Sequence, residues 1–137
     1  MLIAVMVLGA CTSGDELEKT YTAKAQTGDP EAQYQLGRLY FDANGVDHND
    51  KKGTYWIRKA AEQGHPMAQA DLGMLYAVGL IVRKNLIEAD KWLTLSSRQG
   101  YGPGTRGMKD LEEKMQKDQI EKAKELADNW KPIRPAS

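Results

Sequence analysis

The chain has 137 residues, 41% of them hydrophobic and 28% charged, and its 19 Lys plus Arg are balanced by 19 Asp plus Glu. That composition is ordinary for one globular domain with a modest core, and zero net charge leaves no basic excess for general nucleic-acid binding. The only cysteine, Cys11, rules out an intrachain disulfide and a Cys₂His₂ or Cys₄ zinc site, and two histidines, His48 and His65, leave few general bases or metal ligands.

Residues 1–10 are apolar and uncharged. The run is too short for a stable transmembrane anchor and fits the h-region of a secretory signal. Leu8-Gly9-Ala10-Cys11 resembles the lipobox of bacterial lipoproteins. The resemblance implies cleavage before Cys11 and lipid attachment to its thiol. It further implies an acyl anchor strong enough to hold and, with Thr12 rather than Asp next, sorting to the outer membrane, on the periplasmic side. No Lys or Arg precedes the run, a departure from the pattern. The alternative reading is an apolar N-terminal strand or helix buried as a cap. Residues 11–14 are then the lipidated cysteine and a short linker.

A domain is expected over 15–130, and it opens with a helix from Glu16 to Thr27. Beyond it the chain repeats itself at an offset of 36. Gly28-Asp29-Pro30 returns as Gly64-His65-Pro66 and, with one extra residue, as Gly100-Tyr101-Gly102-Pro103. Gln33, Leu36-Gly37, Leu39-Tyr40 and Trp56 return as Gln69, Leu72-Gly73, Leu75-Tyr76 and Trp92. Each unit reads as two helices. In the first unit, near 28–63, Pro30 opens a helix with Ala32, Leu36, Leu39, Tyr40 and Ala43 on one face. Asn44-Gly45 ends it, Val46–Asn49 is a loop, and a second helix runs from Asp50 to Gln63. In the second unit, near 64–99, helices are expected over Pro66–Val78 and Leu86–Gln99, with the loop Gly79–Asn85 between them. The degenerate region 100–130 is predicted to hold a helix from Thr105 to Met115 and a closing helix from Asp118 to Trp130, and 131–137 is a tail punctuated by Pro132 and Pro135.

The stretches G-D-P-E-A-Q-Y-Q-L-G-R-L-Y and W-I-R-K-A-A-E-Q-G-H-P-M-A-Q resemble the Sel-1-like repeat, a relative of the tetratricopeptide repeat. The resemblance covers roughly 15–130. It implies an all-α fold, a short right-handed α-solenoid of antiparallel helix hairpins with about two full repeats plus capping half-repeats. Small residues at Ala32, Gly37, Ala60, Ala61, Ala68, Gly73 and Ser96 fall where helices would approach closely. Two departures stand out: Gly53 where Ala is usual, and Thr105 and Lys109 at the consensus Gln and Gly positions of the third unit.

No nucleophile elbow, Walker loop, zinc-protease or dinucleotide motif is present, so no catalytic residue, metal site or cofactor is assigned and the chain is read as a non-enzyme. Gly100–Gly104 reads as an inter-repeat turn rather than a phosphate loop. His65 reads as a turn residue for which Glu62 is a conceivable partner, and His48 with Asp47, Asn49 and Asp50 reads as a solvated loop. Tyr55-Trp56 and Lys91-Trp92 recur at the repeat period, which favours packing over stacking on sugars or bases.

The expected function is protein–protein interaction from a lipid anchor in the bacterial envelope, as a scaffold, an adaptor or a toxin-neutralising immunity protein. The partner is a protein, joined by the membrane through Cys11, with no nucleic acid. The alternatives are a β-lactam-binding or β-lactam-hydrolysing relative, against which the lack of repeat disulfides and of a Ser-x-x-Lys pair weighs, and a peptidoglycan or glycan binder. The resemblance places the first helix of each repeat on the inner surface. That assigns partner contact to Glu31, Tyr34, Arg38, Phe41, Asp42, Met67, Met74, Arg106 and Asp110.

Overall fold

The computed structural model describes residues 13–134; the apolar N-terminal run and Cys11, which carry the lipid-anchor expectation, lie outside the described residues. Among the described residues there are seven helices and no strand: α1 (Gly14–Gln26), α2 (Pro30–Asp42), α3 (Asp50–Glu62), α4 (Pro66–Val78), α5 (Leu86–Arg98), α6 (Gly102–Glu112) and α7 (Lys117–Asn129). The all-α repeat fold expected from the 36-residue period is the one observed.

Local chemistry sets the helix ends. Asp29 caps α2 by accepting from the Glu31 and Ala32 amides at 3.0 and 3.3 Å, with Pro30 at the first position. His65 does the same for α4 through Nδ1, which accepts from the Ala68 amide at 3.2 Å. Asn49 and Asn85 cap α3 and α5 through their side-chain oxygens at 2.9 and 3.0 Å. The caps therefore repeat with the sequence, and each satisfies amide donors that the first helical turn leaves open.

Helices α2 and α3 form an antiparallel hairpin. Gln33 meets Gln63 at one end, Gly37 lies against Ile57 in the middle, and Phe41 lies against Gly53 at the other. A Cβ on Gly37 would stand 2.8 Å from Ile57 Cγ1, and one on Gly73 would stand 2.8 Å from Leu93 Cγ. The two glycines are thus the crossing points of α2 on α3 and of α4 on α5, where only a bare backbone fits. Leu36, Ile57, Leu72 and Leu93 fill the spaces beside these crossings and are at most 1% exposed.

Adjacent repeats are joined by a buried amide ladder. Gln33 Nε2 donates to the Ala25 carbonyl at 3.1 Å, and Gln33 Oε1 accepts from Gln63 Nε2 at 2.7 Å. One repeat later Gln69 donates to the Ala61 carbonyl at 3.3 Å and accepts from Gln99 at 2.8 Å. Each buried Gln thereby adds a second donor to a carbonyl at the end of the preceding helix, which also accepts from the glycine amide of the turn, Gly28 or Gly64.

The third unit departs from expectation in two ways. Helix α6 starts at Gly102, three residues before the predicted Thr105, because Gly102 occupies the repeat position of Pro30 and Pro66. Gly104 then falls at the place of Ala32 and Ala68 and is pressed so closely on Ser96 that a Cβ would collide with its hydroxyl. Gly100 therefore keeps the turn between repeats, left-handed like Gly28 and Gly64, while Gly102–Gly104 form the first turn of α6. Helix α7 does not close a hairpin on α6 but lies along α5. Ala127 joins the buried cluster of Trp92 and Leu95, and the Trp130 ring meets Trp92 edge-on at 6.1 Å. Apolar Trp92 and Leu95 need a cover, and α7 supplies it.

Candidate partner-binding groove

The first helices of the repeats, α2, α4 and α6, line one face with a continuous groove. One section, of about 300 Å³, is lined by Arg38, Phe41, Asp42, Asp71, Met74, Leu75, Val78, Leu80 and Ile81. It shares Met74 and Val78 with a second section of about 500 Å³ that reaches Asp110, Leu111 and Lys114. Arg38 organises the α2 wall. Its guanidinium holds Asp42 one turn on at 3.2 Å and reaches Asp71 of α4 at 3.4 Å, so the ion pair ties neighbouring repeats across the groove floor. Burial raises the Asp71 carboxyl above its ordinary range, and Arg38 acts against that rise. Below this polar bridge Met74 and Val78 stand 47% and 54% exposed, an apolar area with no cover from the other described residues.

The Sel1 repeat family matches residues 30–65 and 66–101, two consecutive units that make up more than half of the chain. The chain belongs to the Sel1 repeat family. Among solved structures it is similar to c5321, a protective antigen of uropathogenic Escherichia coli strains with an SLR fold. That similarity has 29% identity and a TM-score of 0.79, and covers 85% of this chain and 25% of that one. It is also similar to a Sel1 repeat protein from Oxalobacter formigenes, with 29% identity, a TM-score of 0.64, and coverage of 82% and 97%. The chain thus spans about a quarter of the length of the first and nearly all of the second. No curated protein matches the sequence. Sel1 repeats generally mediate protein–protein interaction and typically act as non-catalytic modules.

Of the nine residues that the Sel1 resemblance assigned to the inner surface, the fold brings Arg38, Phe41, Asp42, Met74 and Asp110 to the groove. Tyr34 is a correction. It is only 9% exposed, stacks on the His65 ring at a centroid distance of 4.7 Å, and belongs to the core; burial, with the nearby Asp71 adding to it, pushes its hydroxyl up to about 12. Met67 packs partly buried against the same cluster and does not line the groove sections. Glu31 is exposed but engaged with Gln35 at 2.7 Å and His65 Nε2 at 2.8 Å, and these two hydrogen bonds lower its pKa. Arg106 is exposed on α6 outside the groove lining.

The partner of His65 is thus Glu31, 34 residues earlier, and not Glu62. Nδ1 accepts the Ala68 amide, so neutral His65 carries its proton on Nε2 and donates it to Glu31. His48 is tied into its own loop, with Nδ1 at 3.0 Å from the Phe41 carbonyl and Nε2 at 2.8 Å from Asp50.

Among the lining residues that the reading by residue missed are Asp71, Leu80, Ile81 and Lys114. Asp71 had a signal, since it lies between Met67 and Met74 at helical spacing on the face already chosen. The others come from loops and helix ends, where no periodicity marks orientation. A separate cavity of about 410 Å³ opens on the opposite, α3 side, lined by Tyr55, Trp56, Lys59 and Glu62 among others. Trp56 and Trp92 pack as expected from their recurrence, but Tyr55 is 52% exposed.

Proposed function

We propose that this chain is a lipid-anchored, non-catalytic adaptor of the bacterial envelope that presents the α2–α4–α6 groove to a protein partner, as a scaffold or as an immunity protein that neutralises a toxin. The observation that carries the binding part is the exposed Met74–Val78 strip beneath the Arg38–Asp71 bridge. Apolar area flanked by an Arg and two carboxylates is the composition of a binding hot spot, with burial for affinity and charge for register. Met74 also adapts its shape to the surface it meets. The anchor part rests on Leu8-Gly9-Ala10-Cys11, and it places the protein on the periplasmic side of the outer membrane.

The test is photo-crosslinking in cells, with the reactive group at Met74 or, as a control on the far side, at Asn129. A discrete adduct from Met74 alone, abolished by Val78→Asp, is expected. Equal adducts from both positions, or none from Met74, would overturn the groove assignment. Cys11→Ser is expected to release the protein from membranes and abolish labelling by a palmitate analogue.

A second reading has one observation behind it: exposed Tyr55 beside Trp56 and the 410 Å³ cavity offers a stacking surface to a sugar. Pelleting with cell-wall sacculi, lost on Tyr55→Ala and unchanged by Val78→Asp, would favour it.

A further inference from the structure

The two repeats contain the same loop with different side chains. In the first, Ala43 takes the left-handed conformation and the Asn49 amide bonds the Tyr40 carbonyl at 3.1 Å. In the second, Gly79 is left-handed and the Asn85 amide bonds the Tyr76 carbonyl at 3.0 Å. Both loops then end in an Asn cap with φ near −150°. Between these fixed ends the first loop carries Asn44-Gly45-Val46-Asp47-His48 and the second Leu80-Ile81-Val82-Arg83-Lys84. The shared valine is half-buried in each. The geometry therefore asks for valine there and is satisfied by Asn and Gly at the tip. Nothing in the fold requires Leu80, which is 88% exposed, or Ile81, which is 39% exposed, and two exposed cations stand where the first loop has Asp and His.

The loop also lies at a particular end of the molecule. Both intra-repeat loops share one end of the solenoid, and α1 starts there too: Gly14 abuts Gly45, and the Tyr40 hydroxyl donates to Glu18. Cys11 is two residues before Ser13, and two extended residues span at most about 7 Å. Any lipid on Cys11 therefore leaves the molecule from the end that carries Leu80 and Ile81.

We propose that the Leu80–Lys84 loop is a second membrane contact: Leu80 and Ile81 enter the bilayer interface, and Arg83 and Lys84 meet anionic headgroups beside them. The proposal rests on the anchor reading above. One lipidated point lets a protein swivel, whereas an apolar tip with adjacent cations adds interfacial burial and headgroup attraction at a second point. The solenoid then stands end-on, with the groove held sideways above the membrane and open to a partner.

The test uses the full lipidated chain in vesicles of phosphatidylethanolamine and phosphatidylglycerol containing a nitroxide-bearing lipid. With Cys11 acylated, Leu80→Cys supplies a single thiol for an environment-sensitive fluorophore, and Thr27→Cys at the opposite end is the control. A blue-shifted, lipid-quenched emission from position 80, with unshifted, unquenched emission from position 27, is the expected result. Position 80 emitting as position 27 does would overturn the contact and return the loop to the protein-binding groove. Quenching at both positions would mean that the molecule lies flat, which overturns the end-on arrangement. Uptake of fluorophore by the wild-type chain would reveal a free Cys11 thiol; that result removes the anchor reading itself, and this proposal with it.

Discussion

The ring of Phe41 stands end-on over Gly53, with its far carbons 3.0 Å from where a Cβ would lie. This explains why a glycine occupies the first turn of α3. The equivalent pair one repeat later is Ala77 and Ala89, so one repeat combines a large ring with no side chain and the other combines two methyls. Phe41 is consequently both a groove residue and a packing residue, and its truncation is not neutral for stability.

Gly53 and Phe41 should therefore be energetically coupled. Gly53→Ala in the wild-type background gains about 1 kcal/mol of helix propensity and loses it again as the ring is displaced. In a Phe41→Ala background the same change should stabilise by about 1 kcal/mol, because the space is open. Urea unfolding of the four proteins measures this; strict additivity would show that the ring moves away freely.

The amide ladder predicts an uneven cost for removing its members. Gln69 is fully buried and bonds Ala61 and Gln99. Gln69→Leu removes both bonds, while the Ala61 carbonyl keeps the Gly64 amide and Gln99 keeps the Gly64 carbonyl, and should cost about 1–3 kcal/mol. Gln35→Leu, at a half-buried site where the side chain bonds only exposed Glu31, should cost under about 0.5 kcal/mol. Thermal melts of both compare them, and similar shifts would mean that the ladder adds little.

Asp90 gives the protein an unusual pH response. It is fully buried, neither carboxyl oxygen has a hydrogen-bond partner among the described residues, and burial, with Glu112 nearby adding to it, pushes its pKa up to about 6. Between about pH 4 and 6 the folded state holds a proton that the unfolded chain has released, so this group's contribution to stability falls as pH rises through that window. Above pH 6 the buried charge costs on the order of 3 kcal/mol. Asp90→Asn should raise the melting temperature at pH 7 and should lose much of its advantage by pH 4. An unchanged difference between the two pH values would show that Asp90 does not titrate in this way.

In the groove, Val78→Asp and Met74→Lys should each weaken partner binding by at least about 1 kcal/mol. Both side chains are about half exposed, so the melting temperature should stay near wild type. Calorimetry with the crosslinked partner, once identified, checks the first effect and a thermal melt the second. Loss of folding in either variant would move the residue from surface to core.

The sequence by itself determined the architecture, because the repeat is written in residues whose roles are local or periodic. Pro30 and Pro66 start the first helix of each repeat, the loops ending at Asn49 and Asn85 precede the second, and Gly37 and Gly73 fall where helices approach closely. Identical signals 36 residues apart imply identical hairpins. The Sel1 resemblance chose the inner face of the first helices, and helical spacing then fixed Arg38, Met74 and Asp110 as residues on that face. Tertiary structure decided what periodicity cannot encode. Tyr34 sits at an inner-face position yet is covered by His65, a residue 31 places along the chain whose ring its spacing does not reveal. The tip at Leu80 and Ile81 is a loop, where no period assigns a face. Helix α7 chose α5 over α6 because Trp92 and Leu95 had apolar area to bury, and that demand exists only once the repeats have stacked.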